Sequence, residues 1–73
     1  MNQTTTLPLT IDELKTKIRK LNSKAGQMKM DLHDIAEGLP NDLEKLPDAA
    51  AKTYDLFCQL QALRQQLRVL ENS

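Results

Sequence analysis

The sequence predicts an all-α fold: an antiparallel, coiled-coil-like two-helix hairpin that self-associates into a four-helix bundle. Three observations predict it. Leucine dominates the apolar residues, beside one Tyr, one Phe and no Trp. Two long stretches carry apolar residues at alternating spacings of three and four, the signature of a helical stripe that packs on another helix. A short segment holding Pro40 and Pro47 separates them, and a short connection folds the second helix back on the first.

Residues 1–9 are polar, Thr-rich and contain Pro8, and read as a disordered tail. The helical hairpin then occupies residues 10–71. Helix 1 is expected over about 10–38. Thr10 and Glu13 have the T-x-x-E spacing of a capping box, and Leu9 and Leu14 occupy the two positions of a hydrophobic staple. Asp12 and Glu13 suit the positive end of the helix dipole. The stripe runs Ile11, Leu14, Ile18, Leu21, Ala25, Met28, Leu32, Ile35 and Leu39. Gly38 is a natural residue just past a helix end, and Pro40 forbids continuation.

The connection is expected over 39–46. Asn41 and Glu44 repeat the capping-box spacing, so one helical turn fits inside it. Helix 2 is expected over about 47–71, with Pro47 and Asp48 suited to its first turn. Its stripe is Ala49, Thr53, Leu56, Leu60, Leu63, Leu67 and Leu70, widened by Phe57. Folding one stripe on the other sets a register. Ile35 faces Ala49, Met28 faces Leu56, Ala25 faces Leu60, Leu21 faces Leu63 and Leu14 faces Leu70.

The chain has 73 residues, and a core of that size usually needs a disulfide, a metal or a partner to hold it. With Cys58 as its one cysteine, no internal disulfide is possible. That leaves metal or self-association, and it fits a reducing, cytoplasmic setting. The first residues do not read as a signal peptide, and no apolar run approaches the roughly 18 residues of a membrane span.

The net charge is zero, yet the charges are segregated. Lys15, Lys17, Arg19, Lys20, Lys24 and Lys29 stand without an acid among them. Residues 30–48 carry Asp31, Asp34, Glu37, Asp42, Glu44 and Asp48 against Lys45 alone. In the hairpin, Arg64 and Arg68 join the first group. The result is a bipolar rod, basic at the open end and acidic at the turn. A basic end invites RNA, but no aromatic residue stands among the lysines for base stacking, and zero net charge weakens the electrostatic drive. Nucleic acid is therefore an unfavoured partner, and a solvated helix face is the simpler reading.

Two helices with one stripe each leave apolar residues outside it. On helix 2 these include Tyr54, Phe57 and Cys58. On helix 1, Gly26, Met30, His33 and Glu37 form a second stripe. Gly26 in mid-helix costs about 1 kcal/mol relative to Ala, and close approach of another backbone is one reason to keep it. Gly26, Met30, Tyr54, Phe57 and Cys58 are the candidate partner contacts.

His33 is the only histidine. Glu37 follows one helical turn later and Asp34 lies beside it. An imidazole and a carboxylate at that spacing chelate a divalent transition metal such as Ni, Fe or Zn. Two ligands make a weak site, which a second copy would complete. The alternatives are a solvent-facing histidine that suits the helix C-terminus, and a contact with a partner. Catalysis has no support: there is no second histidine, no nucleophile constellation and no glycine-rich phosphate loop.

The run KMDLHDIAEGLP (29–40), the LEKLP linker (43–47) and the helix AAAKTYDLFCQLQALRQQL (49–67) together resemble a known family. It is a family of small two-helix proteins of unknown function, called Rop-like and encoded in nitrogen-fixation gene clusters. Its members are associated with a nitrogenase-cofactor carrier protein. The likeness covers roughly residues 11–70. It implies a helical hairpin that self-associates, and a role in nitrogen fixation. Members are described as metalloproteins, which adds weight to a metal at His33, with Glu37 and Asp34 as helpers; Met30 and Asp31 also match the motif. The expected function is a non-enzymatic accessory or scaffold protein acting by protein–protein contact, its partners being nitrogenase or cofactor-assembly proteins. The rivals are a metal-binding or metal-delivery protein for nitrogenase cofactor assembly, and an RNA-binding bundle using the basic end.

Overall fold

The computed structural model describes residues 9–72, so the expected tail falls outside the described residues except for Leu9. Helix α1 spans Ile11–Glu37, a 3₁₀ turn covers Leu43–Lys45 and helix α2 spans Leu46–Glu71. Among the described residues there is no strand.

The start of α1 is held as its sequence dictates. The Thr10 hydroxyl accepts from the Glu13 backbone N–H at 3.1 Å. The Glu13 carboxylate accepts in turn from the Thr10 N–H at 2.9 Å. Two of the backbone donors that a helix start leaves without partners are thereby satisfied. Leu14, at the inner staple position, is fully buried, and Leu9 is half-buried.

The end of α1 differs from expectation. Gly38 is the C-cap, but its φ of −88° is right-handed, and a Cβ there would meet only ordinary contacts. The turn does not need a glycine at that point. The left-handed residue of the connection is Asp42, at φ 57°, a conformation that Asp tolerates better than most residues. The Asn41–Glu44 capping box does not form. Asn41 donates its N–H to the Gly38 carbonyl at 2.9 Å, and Asp42 heads the 3₁₀ turn without a side-chain cap. Leu39 is also misplaced by periodicity alone. It lies beyond the last residue of α1 and is 39% exposed.

The two helices pack antiparallel, and three cross-helix contacts show the register. Lys15 pairs with Glu71 at 3.6 Å. The Arg64 guanidinium donates to the Asn22 amide oxygen at 2.9 Å. The Lys29 ammonium lies 5.8 Å from the centre of the Phe57 ring. Each contact joins the two residues that directly follow an expected facing pair: Leu14–Leu70, Leu21–Leu63 and Met28–Leu56. One register therefore holds from the open end to mid-hairpin, with these polar pairs flanking the apolar stripe on one side.

The core sits in the middle of the rod. Ala25, Leu56 and Leu60 are buried together, with Ile18, Leu21, Met28 and Phe57 packed around them. The small Ala25 opposite Leu60 lets the helices approach closely. Thr53 keeps a stripe position because its hydroxyl donates to the Ala49 carbonyl at 2.8 Å, so no polar group is left wanting. Among the described residues the buried side chains are Leu14, Ala25, Leu56 and Leu60, a small core. At about 1.5–3 kcal/mol for each large one, a single hairpin is close to the limit of stability.

Candidate functional site

His33 stands exposed in the penultimate turn of α1. The helical rise turns it, with Gly26, Lys29, Met30 and Asp34, toward one shallow depression on the outside of the hairpin. Met30 is 62% exposed there. Nothing lies within 4 Å of where a Gly26 side chain would begin, so the glycine opens a notch beside the Met30 side chain. Glu37, the last residue of α1, is exposed one turn beyond and does not line that depression. Asp31 is engaged by the Gln27 amide at 3.0 Å.

Among the described residues, no three or more His, Cys, Asp or Glu side chains gather to hold a metal ion. Within one copy, the ligand-bearing residues of the depression are therefore His33 and Asp34. Cys58 is exposed on α2 and lines a different depression with Gln61, Ala62 and Gln65. It does not join His33 within the hairpin.

The outer face of α2 carries Tyr54, 70% exposed, one turn before Cys58. A hydrogen bond with the Cys58 side chain, then charge on that sulfur, holds the phenol above its ordinary pKa, and the nearby Asp55 carboxylate adds to the effect. Phe57 is split between two roles. It is half-buried against the core, and its ring also carries the Lys29 ammonium, a cation–π contact. Sequence reading did not find that contact or the Arg64–Asn22 bond. The signal for both was present: they occupy the flanking positions that the register brings together.

The open end is basic. Arg64 and Arg68 line a surface depression with Phe57, Gln61 and Gln65. Arg19 reaches only the Thr16 hydroxyl, at 3.5 Å. Among the described residues the ion pairs within the hairpin are Lys15–Glu71 and Lys45–Asp42, both solvent-exposed. No described helix is long and apolar enough to cross a membrane.

A family model described as Rop-like matches residues 9–72. The chain is 62% identical over 63 residues to the UPF0437 protein asl1434 of Nostoc sp. (strain PCC 7120), covering 86% of this chain and 89% of that one. It is 49% identical over 47 residues to a UPF0437 protein of Frankia alni named for its place in a nifX-nifW intergenic region, covering 64% of this chain and 57% of that one. Its fold matches the crystal structure of a DUF683-family protein from the cyanobacterium Cyanothece 51142, with a TM-score of 0.81 and 59% identity over 84% of this chain and 86% of that one. A family match across the whole hairpin, with a relative 62% identical over most of both chains and a solved relative of the same fold, leads to one conclusion: this chain belongs to the Rop-like family of small two-helix proteins.

Proposed function

We propose that this protein is a cytoplasmic, non-enzymatic accessory protein of nitrogen fixation that works as a self-associated scaffold. The observation that carries the reading is the exposure of large apolar side chains, Met30 and Tyr54, on the outside of a hairpin whose own core is already closed. Folding of one copy does not use them, and apolar side chains left exposed beside a closed core are candidates for contact with another molecule. Gly26 and Met30 serve the contact between copies. Tyr54, Phe57 and Cys58 on α2 serve a partner among nitrogenase or cofactor-assembly proteins. The nitrogen-fixation setting is supported by the Frankia alni relative. Capture from nitrogen-fixing cells, with wild-type and Tyr54→Asp baits, tests the reading. Wild type is expected to retain a nitrogenase or cofactor-assembly component that the variant loses. Recovery of neither with wild type would refute it.

A second reading is favoured by one arrangement: His33 and Asp34 lining the same depression as Met30. In it, the protein binds or delivers a divalent transition metal, Ni, Fe or Zn, for cofactor assembly, with Glu37 as a helper. An imidazole and a carboxylate from one copy leave most of the coordination sphere to another molecule. Calorimetric titration with Ni²⁺, Zn²⁺ and Fe²⁺ distinguishes the readings. Loss of binding in His33→Ala supports the metal, and equal binding by both proteins removes it.

A further inference from the structure

We infer that the α2 row Phe57, Gln61, Arg64, Gln65 and Arg68, with Lys29 of α1 at one end, is a docking surface for an acidic helix of a partner protein. The inference rests on the partner contact proposed above and names the chemistry of that partner.

The charge pattern comes first. Residues 14–30 of α1 and 56–70 of α2 hold eight Lys and Arg residues and no Asp or Glu. The register lays these two acid-free stretches side by side, since Leu14 faces Leu70 and Met28 faces Leu56. Basic residues therefore run along the open part of the rod without a carboxylate between them. A field of one sign draws the opposite charge from a partner and steers its approach.

One flank of that region holds its cations in place. The Arg64 guanidinium donates to the Asn22 amide oxygen at 2.9 Å, and the Lys29 ammonium lies 5.8 Å from the centre of the Phe57 ring. Asn22 and Phe57 are neutral. They fix the direction of each cation and leave its charge intact, so part of the ordering cost of binding is already met. Among the described residues, no ion pair involves Lys29, Arg64 or Arg68. Arg64 and Arg68 line one depression with Phe57, Gln61 and Gln65. Their guanidinium groups present paired donors to a carboxylate, and the glutamine amides add neutral donors beside them.

The spacing selects a helix. Arg64 and Arg68 are four residues apart. Lys29 lies at the level of Phe57, seven residues before Arg64. Along the axis the cations therefore stand about 6 Å and about 10.5 Å apart, at about 1.5 Å per residue. In a helix lying along α2, carboxylates at i, i+4 and i+11 match those levels and share one face. An extended segment covers the same distances in about two and about three residues at ~3.3 Å each, and puts its third carboxylate on the far side. Nucleic acid suits the surface less well. The Phe57 ring is half-buried and carries the Lys29 ammonium, a poor platform for a stacked base. Phosphates running on past Lys29 would also meet the carboxylates of the turn.

A designed probe tests the surface: a labelled helical peptide of about 18 residues, built on Ala and Gln, with Glu at i, i+4 and i+11. Binding to the full chain is read by fluorescence anisotropy. Wild type is expected to bind it, and to bind the all-Gln version at least about fivefold more weakly. Arg64→Gln with Arg68→Gln is expected to weaken binding at least about fivefold. Lys17→Gln with Lys24→Gln removes the same charge from the opposite flank, because these residues directly precede the stripe positions Ile18 and Ala25. That pair is expected to weaken binding less than about twofold. Circular dichroism checks that the helices are intact. If the double arginine variant unfolds, Arg68→Gln alone, which leaves the Arg64–Asn22 bond in place, carries the comparison. Equal losses from the two flanks, or equal affinity for the all-Gln peptide, would overturn the inference. Tighter binding of a single-stranded RNA of equal charge would give the surface to nucleic acid instead, and loss of peptide binding as the protein concentration rises would give it to a second copy. The proposed function is read separately. Capture of a nitrogenase component without peptide binding keeps the accessory role and removes the acidic helix. Peptide binding without such capture keeps the surface and removes the nitrogen-fixation setting.

Discussion

Glu13 holds the first turn of α1 through a charged hydrogen bond, so protonation is its weak point. The Thr10 backbone N–H and then the Thr10 hydroxyl stabilise its carboxylate, which lowers its pKa below the usual value although the group is exposed. A lowered folded-state pKa contributes stability that is fully present above the ordinary carboxylate value of about 4.3. That contribution is lost as the pH falls through the depressed value. Glu13→Gln keeps an acceptor but not the charge. Wild type is expected to melt higher than Glu13→Gln at neutral pH, and the two curves to converge in acid. A gap independent of pH would assign the cap to shape alone. Thr10→Ala removes the other half of the box and should cost about 1 kcal/mol, read from chemical denaturation. Tyr54 is the second residue whose titration reports a contact. Its phenol is raised chiefly by Cys58, so Cys58→Ala should move the tyrosinate absorbance transition to lower pH. An unmoved transition would show that the two side chains do not meet.

At the scale of the helices, periodicity was a sound guide where the backbone stayed helical and a poor one where it did not. Leu60 and Leu39 illustrate the difference, since both continue an unbroken spacing of three and four. Leu60 lies in the middle of α2 and is 1% exposed, whereas Leu39 is past the end of α1 and is 39% exposed. A stripe exists only while 3.6 residues make a turn. The helix stops at Glu37, and the rotation that would carry Leu39 inward stops with it. The connection was the least legible part. The identity of its left-handed residue, Asp42 rather than Gly38, depends on how the chain reverses, which local composition does not encode. The outer stripes were legible as leftovers, because a two-helix core cannot use Met30 or Tyr54. The lateral contacts Lys29–Phe57 and Arg64–Asn22 needed the register first. Leu60→Ala should therefore cost roughly 2–5 kcal/mol, and Leu39→Ala less than about 0.5 kcal/mol, both measured by urea unfolding. Equal losses would mean that the turn packs against a surface absent from the single hairpin.

For the whole molecule, the segregation of charge matters more than its sum. The internal ion pairs are few and exposed, and such pairs contribute little to folding. Salt should therefore leave the hairpin nearly unchanged while acting strongly on what the hairpin binds. The direction of that action depends on orientation. In an antiparallel dimer the basic end of each copy attracts the acidic turn of the other. The screening length falls from about 10 Å at about 0.1 M salt to about 3 Å at about 1 M, which weakens that attraction. Apolar contact between copies is not screened, so the dimer should loosen without vanishing. With a few exposed charge pairs between opposite ends at about 0.2–1 kcal/mol each, the dissociation constant should rise at least about twofold over that range. In a parallel dimer the basic ends repel each other, and the same salt would tighten association. Sedimentation equilibrium at both salt concentrations, with circular dichroism at each to confirm unchanged helicity, reads the sign directly. Tighter association in high salt would show that like-charged ends meet. An unchanged constant would place the contact on the apolar side chains of α2, Tyr54 and Phe57, and leave the charged ends for another partner.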